Sequence, residues 1–381
     1  MSSLDQFAKE KLAALDAANL RREILDSTRE EQIWIQRGAR RLMSFCCNDY
    51  LNLSQHPTVK QAAIDAVARH GAGSGASRLV TGNHPLHRKL ERRLAAFKKT
   101  EEALIFGSGY LANIGIIPAL AGPGDAVFID ELAHACMFAG ARLSRAEIFV
   151  FEHNRIGHVA ELAARHRAQF GRIILATEGV FSMDGDLAPL PEFAELSRAH
   201  DLWLMTDDAH GFGVIGGGRG SSFAHATALE IPIQMGTLSK AVGSYGAYVC
   251  GSAALIELLK SRGRSVIYST ALPPASLAAS LAALDIIEGD PDLVARPVLK
   301  ARLFTDRLGL PPAVSPIVPI LVGTPEAALA RSAELEEKGF LVTPIRPPTV
   351  PEGTARLRIT FSAAHPDDQI LRLADAIRAC S

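Results

Sequence analysis

The 381-residue chain has no excess of either charge: its formal net charge is -1, which leaves no basic field for nucleic acid or an acidic membrane surface. Cysteine is sparse. The five present include adjacent Cys46 and Cys47 but no Cys-x-x-Cys pair, so they fit neither a disulfide framework nor a zinc site and predict a reducing cytoplasm. The twelve histidines are scattered without a His-Glu-x-x-His, and no metal is expected. No Gly-x-Ser-x-Gly elbow surrounds Ser74, Ser77 or Ser108, and no Gly-Lys pair exists for a Walker loop. The uncharged run from Ala103 to Gly124 is broken by Gly107, Ser108, Gly109, Asn113 and Pro118 into strand, loop and helix, which argues against a membrane span. Asp5, Lys9 and Glu10 stand where a secretory signal would have an apolar core. There is no internal repeat and no low-complexity tract.

What is present is apolar material: 48% of the residues are hydrophobic, enough for one large domain with smaller appendages. Leu4, Phe7, Leu12 and Leu15 recur at helical spacing and predict an amphipathic helix to about Leu25. Gln32 to Ile35 and Leu42 to Phe45, around Arg37-Gly38, read as a hairpin, and Pro57 to His70 and Pro85 to Lys98 as helices with Pro in the first turn. From Ala103, strands near 103–106, 126–129, 148–151, 173–177, 202–206, 231–235 and 245–250 alternate with helical stretches, the pattern of a mostly parallel sheet covered on both faces. A helix from about Pro274 to Glu288 precedes a tail whose order is helix, strand (Ile317–Val322), helix (Pro325–Lys338), strands (Leu341–Pro344, Arg356–Phe361) and helix. The expected divisions are an N-terminal helix and hairpin (1–50), a large α/β domain (51–288) and a small C-terminal α+β domain (289–381).

Two of the strands end in chemistry. Leu202 to Thr206 runs into Asp207-Asp208-Ala209-His210-Gly211, and Ile231 to Met235 runs into Gly236-Thr237-Leu238-Ser239-Lys240. In an open α/β sheet the ligand crevice lies beyond the carboxyl ends of the strands, so both clusters face one site. Pyridoxal 5'-phosphate (PLP) uses such a set: its aldehyde takes a lysine as a Schiff base, and an acid keeps the pyridine nitrogen protonated. Small and apolar neighbours of Lys240 favour the neutral amine that attacks a carbonyl. Alone, the two aspartates would read as turn caps and Lys240 as a loop charge; their joint occurrence at two strand ends favours the chemistry.

Gly107-Ser108-Gly109-Tyr110 follows a strand and opens a helix, so its backbone N–H groups suit a phosphate. Extended to Ala112 it also matches Gly-x-Gly-x-x-Ala, with Asp125 and Asp130 at about the spacing of a dinucleotide fingerprint. A nicotinamide dehydrogenase is therefore the rival, though it would leave Lys240 idle. Gly211-x-Gly213-x-x-Gly216 runs on into further glycines and reads as a turn; Gly73-Ser74-Gly75 follows a helix and reads as a flexible substrate-side loop. His134 falls at a strand end, where an imidazole could lie on a planar ring.

Over nearly its whole length the sequence resembles the PLP-dependent α-oxoamine synthases, of PLP fold type I. The resemblance is carried by Asn48-Asp49-Tyr50-Leu51, Gly73-Ser74-Gly75, the run from Thr177 through Glu178, Ser182 and Gly185 to Asp186, Asp207 to Gly211, Lys240, Ile267 to Thr270, and most specifically Pro344 to Arg358. It implies roles. Lys240 would be the Schiff-base lysine and proton-transfer base, Asp207 the partner of the pyridine nitrogen and His134 the stacking ring. Ser182 and His210 would meet the phenolic oxygen. Gly109, Tyr110 and Thr237 would hold the phosphate, with Thr270 contributed by a neighbouring subunit. Arg358 would take the amino-acid carboxylate, with Arg21, Asn48 and Thr349 completing the pocket; Arg21 and Arg22 compete for one position. The chain departs from the family at Asn52, where glycine is usual, and at Ser239, where some members have glycine.

The same resemblance implies a cytoplasmic homodimeric C-acyltransferase that loses carbon dioxide. Pro347, where relatives acting on glycine tend to carry tyrosine, favours the biotin-pathway branch, with L-alanine and a pimeloyl thioester of coenzyme A or of a carrier protein as substrates. A sister enzyme using glycine or serine, the dehydrogenase, and a non-catalytic dimeric binding module remain as alternatives.

Overall fold

A computed structural model describes residues 2–30 and 33–379. The N-terminal helix Ser3–Ala17 is opened by a capping box between Ser2 and Asp5. It ends at Ala17 rather than near Leu25: Asn19 turns to φ 53, and no residue of the helix is buried, so no packing surface extends it. Strands β1 (Thr28–Arg29), β2 (Trp34–Arg37) and β3 (Arg40–Ser44) follow, with Trp34 opposite Met43 and Ile35 opposite Leu42. Gln32 of the expected hairpin lies outside the described residues. The helices Pro57–His70 and Pro85–Lys98 have the expected bounds, each capped by the side chain of the preceding histidine.

The centre of the molecule is a seven-stranded sheet of β4 (Glu102–Phe106), β5 (Ala126–Asp130), β6 (Glu147–Phe151), β7 (Ile173–Glu178), β8 (Trp203–Asp207), β9 (Ile233–Thr237) and β10 (Ala247–Gly251). Its order is β4-β10-β9-β8-β7-β5-β6, and only β10 runs against its neighbours. Every residue of β5, β7, β9 and β10 is buried, because helices cover both faces of the sheet. This is the mostly parallel sheet that the alternation predicted.

The tail adds β11 (Ile317–Gly323), β12 (Phe340–Leu341), β13 (Thr343–Ile345) and β14 (Ala355–Thr360), with helices Pro325–Glu337 and Asp367–Ala379. The single strand expected at Leu341–Pro344 is two. Phe340 and Leu341 pair parallel with β3 on the N-terminal hairpin, whereas Thr343 to Ile345 pair with β14. Phe45 and Phe340 meet edge to face at 5.9 Å, so the N-terminal hairpin and the C-terminal lobe share one apolar core.

A buried ion pair locks the turn after β8. The helix Pro85–Lys98 delivers Lys98, 1% exposed, to within 3.6 Å of Asp208 Oδ2, while its Nζ donates to the Arg219 carbonyl at 2.6 Å. Asp208 organises its surroundings: its N–H donates to Met235 on β9, its carbonyl accepts from Gly211 and Phe212, and its Oδ2 accepts from the Ser221 N–H. A Cβ on Gly220, at φ +103, would stand 1.7 Å from Oδ2, so only glycine fits. Burial pushes Lys98 down and Asp208 up, each opposed by the other's charge. Lys98→Met leaves that carboxylate unpaired, and a loss of about 3–5 kcal/mol is expected in urea unfolding. An unchanged midpoint would show that the pair does not hold the turn.

Candidate active site

The carboxyl ends of β5, β7, β8 and β9 and the N-terminus of the helix Gly109–Leu120 converge on a cavity of about 170 Å³. Two hollows of about 610 and 650 Å³ are larger, but neither is lined by Asp207 or Lys240. Lys240 enters the small cavity from the turn after β9. That turn is closed by a 2.8 Å bond from Gly243 N–H to the Lys240 carbonyl, and Gly243 at φ +68 packs so closely on Ser54 that a Cβ would meet its nitrogen at 2.2 Å. Lys240 is half-buried as a residue and its amine lies 2.7 Å from His210 Nε2. Burial brings it down to about 8, against the opposing pull of Asp207 and Glu178.

Asp207 ends β8 at 4% exposure. Its Oδ1 accepts from the Ala209 N–H at 3.0 Å and its Oδ2 from the Asn113 amide at 2.8 Å, so the carboxylate is fixed at both oxygens. His210 lies between Tyr50 and Lys240, with Nδ1 2.6 Å from the Tyr50 hydroxyl and Nε2 2.7 Å from the lysine amine. Burial, with Lys240 and Arg358 nearby, holds His210 well below the usual histidine range, so the ring is neutral. His134 caps the helix Ala135–Ser144: its Nδ1 accepts from the Cys136 N–H at 3.2 Å, which fixes the ring at the cavity wall. Burial also lowers His134.

At the other end of the cavity, Ser108 satisfies later donors of the helix Gly109–Leu120: its Oγ takes the Leu111 N–H and its carbonyl the Ala112 N–H. The first two N–H groups, of Gly109 and Tyr110, remain at a positively polarised helix end that lines the cavity. Thr237 Oγ1 donates to the Gly246 carbonyl at 2.9 Å and lies 2.7 Å from the Ser239 hydroxyl. An amine, a doubly held carboxylate, a flat imidazole and a cluster of N–H and hydroxyl donors are the donor set that PLP requires, and the residues present fit it.

Arg358 on β14 is 6% exposed, donates to the Ser182 carbonyl through Nε and to Asn48 Oδ1 through Nη1 at 3.1 Å, and its charge reaches His210 and Lys240. Arg358, Asn48 and Ser182 are thus together at the edge of the site, although Ser182 offers its backbone there and does not line the cavity. Arg21 and Thr349 line the separate hollow of about 610 Å³. In the extended segment after Asn19, Arg21 is held by Asp16 at 2.9 Å, and it is Arg22 that reaches the Thr349 hydroxyl at 3.2 Å. Thr270 is exposed, bridged to Ser77 and away from the cavity of its own chain. The two acids of the dinucleotide reading are engaged elsewhere: Asp125 takes Arg172 and the Gly122 N–H, and Asp130 takes His153.

Four groups were not singled out from the sequence. Asn113 lies one turn beyond Gly109 on the same helical face, a spacing that could have found it. Tyr50 stands inside a quoted motif. Cys136 reaches Asn113 at 3.1 Å because Gly140 lets two helices approach, a Cβ there falling 2.6 Å from the Asn113 carbonyl. Glu178 is the register partner of Asp207, which only strand pairing reveals.

The family model described as aminotransferase class I and II matches residues 40–377. The chain is 60% identical over 377 residues to an 8-amino-7-oxononanoate synthase of Beijerinckia indica subsp. indica, covering 99% of this chain and 98% of that one. It is 62% identical over 344 residues to one of Methylocella silvestris, covering 90% and 98%. Among solved structures it is similar to a serine palmitoyltransferase from S. paucimobilis with bound PLP, at TM-score 0.92 and 27% identity over 100% of this chain and 98% of that one. An 8-amino-7-oxononanoate synthase from Francisella tularensis matches at TM-score 0.76 and 30% identity, covering 89% and 97%.

Proposed function

The chain belongs to the aminotransferase class I and II family and, within it, to the 8-amino-7-oxononanoate synthases, and from that premise we propose how its own residues perform the reaction. L-Alanine and a pimeloyl thioester are joined to give 8-amino-7-oxononanoate, carbon dioxide and free thiol, a step of biotin biosynthesis. PLP, when bound, supplies an aldehyde that receives an amine and a ring that accepts the electron pair left when a bond to the α-carbon breaks. Lys240 holds it and then serves as the base that removes and returns the proton at the α-carbon, a task suited to an amine brought down to about 8. Asp207 keeps a proton on the ring nitrogen, and His134 covers the ring face. Gly109, Tyr110 and Thr237, with Ser239, grip the phosphate. His210, neutral and backed by Tyr50, donates to the phenolic oxygen, while Ser182, which does not line the cavity, holds Arg358 and Glu178 through its backbone.

Arg358 takes the alanine carboxylate, where a planar guanidinium makes two parallel hydrogen bonds, and Asn48 fixes its orientation. Arg21 or Arg22, with Thr349, receives the acyl chain's side of the substrate in the larger hollow. The α-carbon forms its new bond to the thioester carbonyl, the thiol leaves, and the carboxylate held by Arg358 departs as carbon dioxide. A homodimer, with Thr270 crossing to the partner's phosphate site, agrees with the exposed Leu79, Val80 and Tyr268 near that segment. Free Cys46, Cys47, Cys136 and Cys250 agree with a cytoplasmic setting.

The observation that carries this reading is the enclosure of the Lys240 amine and the Asp207 carboxylate in one cavity. Purified protein with PLP, L-alanine and pimeloyl-CoA is expected to release a product with the mass of 8-amino-7-oxononanoate; pimeloyl carrier protein in parallel decides the acyl donor. Faster turnover of glycine or serine with another acyl-CoA would instead assign a sister activity.

A further inference from the structure

Glu178 ends β7 within the Lys240 cavity, and the reaction described above leaves it without a task. It is 3% exposed, paired in register with Asp207. Its Oε2 accepts the Ser182 N–H at 3.2 Å. Its Oε1 is buried and, among the described residues, has no partner within hydrogen-bond geometry, although the His134 N–H acts on the same carboxyl. A buried polar atom in that condition is costly unless something meets it. Here the free oxygen belongs to a side chain that lines the cavity. We infer that Glu178 is a further binding residue of this site, donating a hydrogen bond from Oε1 to an oxygen of the molecule bound there. The inference rests on the cavity's taking PLP.

Donation requires the neutral carboxylic acid, and the surroundings favour it. Burial pushes the Glu178 carboxyl up and the Asp207 charge pushes it further; the Lys240 amine and the backbone N–H groups of His134 and Ser182 oppose them. The balance stands at about 8, so the group holds its proton at neutral pH. The receiving atom is an electron-rich oxygen, either the phenolic oxygen of PLP or an oxygen of the amino-acid substrate. Neither alternative changes the role of Oε1.

Glu178→Gln keeps a donor of the same shape without an ionisable proton, and Glu178→Leu removes it. PLP affinity of the apoprotein, followed by visible absorbance, and the spectral response of the PLP-loaded protein to L-alanine are measured for both. Gln is expected to keep both affinities within about twofold, and Leu to lose about tenfold in one. A loss in PLP affinity assigns the contact to the cofactor, and a loss confined to L-alanine assigns it to the substrate. Raising the pH through about 8 should weaken the natural protein relative to the Gln variant, whose amide has no proton to lose. Equal loss in Gln and Leu, no loss in either, or identical pH curves for Gln and the natural protein overturns the inference. If Leu does not fold, the Gln affinities and pH curves decide alone. A natural protein that develops no visible absorbance with PLP would instead remove the cofactor reading, a distinct failure.

Discussion

Lys240→Ala is expected to abolish turnover while leaving the melting temperature within a few degrees of the natural protein's. The substitution removes two functions at once. The amine that captures the aldehyde is lost, and so is the base that moves the α-proton, a contribution worth on the order of 10²–10⁴ by itself. It takes a countercharge from Asp207, but both oxygens of that carboxylate stay hydrogen-bonded to Asn113 and Ala209, which limits the loss of stability. The protein should bind PLP without the visible absorbance of an imine and without borohydride-stable labelling. Retained product formation would refute the assignment. In the natural protein, only the unprotonated amine attacks the aldehyde, and burial has brought that amine down to about 8. The rate of PLP capture should therefore climb as pH rises through about 8; a climb delayed to the pH of an ordinary lysine would mean that enclosure does not depress the group.

Asp207→Asn is expected to retain PLP and to slow turnover by about 10²–10³, the scale of losing one preorganised electrostatic contact. PLP is retained because Lys240 and the donors at Gly109, Tyr110 and Thr237 remain in the cavity. The chemistry slows because an amide cannot keep a proton on the ring nitrogen. The substitution also disturbs the local geometry: Asp207 accepts from Ala209 at Oδ1 and from Asn113 at Oδ2, and an asparagine must turn its own NH₂ toward one of these donors. Exchange of the L-alanine α-proton with deuterated solvent isolates the step, since it needs neither acyl donor nor product release. An unchanged exchange rate would remove the electron-sink role of Asp207.

The parts of this protein that could be read in advance are those written by local rules. The helices Pro57–His70 and Pro85–Lys98 have proline at the first position and were found to the residue. The strands of the sheet were found to within two residues at each end because their runs are mostly apolar, in the strands buried on both faces and also in edge strand β6, which leaves Glu147 and Val150 exposed. The N-terminal helix was overextended: periodicity can mark a helical face, but burial sustains a helix, and here no residue is buried. Leu341 to Pro344 could not be divided correctly because β3, the partner of β12, lies some 300 positions earlier in the chain.

Lys240, Asp207, His134 and the loop at Gly109 were legible because each stands at the end of a strand or the start of a helix, where the topology of a parallel sheet sends its ligands. Their convergence was expected from the order of residues, and all four line one cavity. Tertiary structure decided how they are held. Whether Asp207 is gripped at both oxygens depends on a helix crossing, whether Glu178 stands beside it depends on strand register, and whether Arg21 or Arg22 reaches Thr349 depends on an irregular segment that no periodicity governs. Reactive groups are specified one residue at a time, whereas hydrogen-bond partners far apart in the chain exist only once packing has brought them within 3 Å or so of each other.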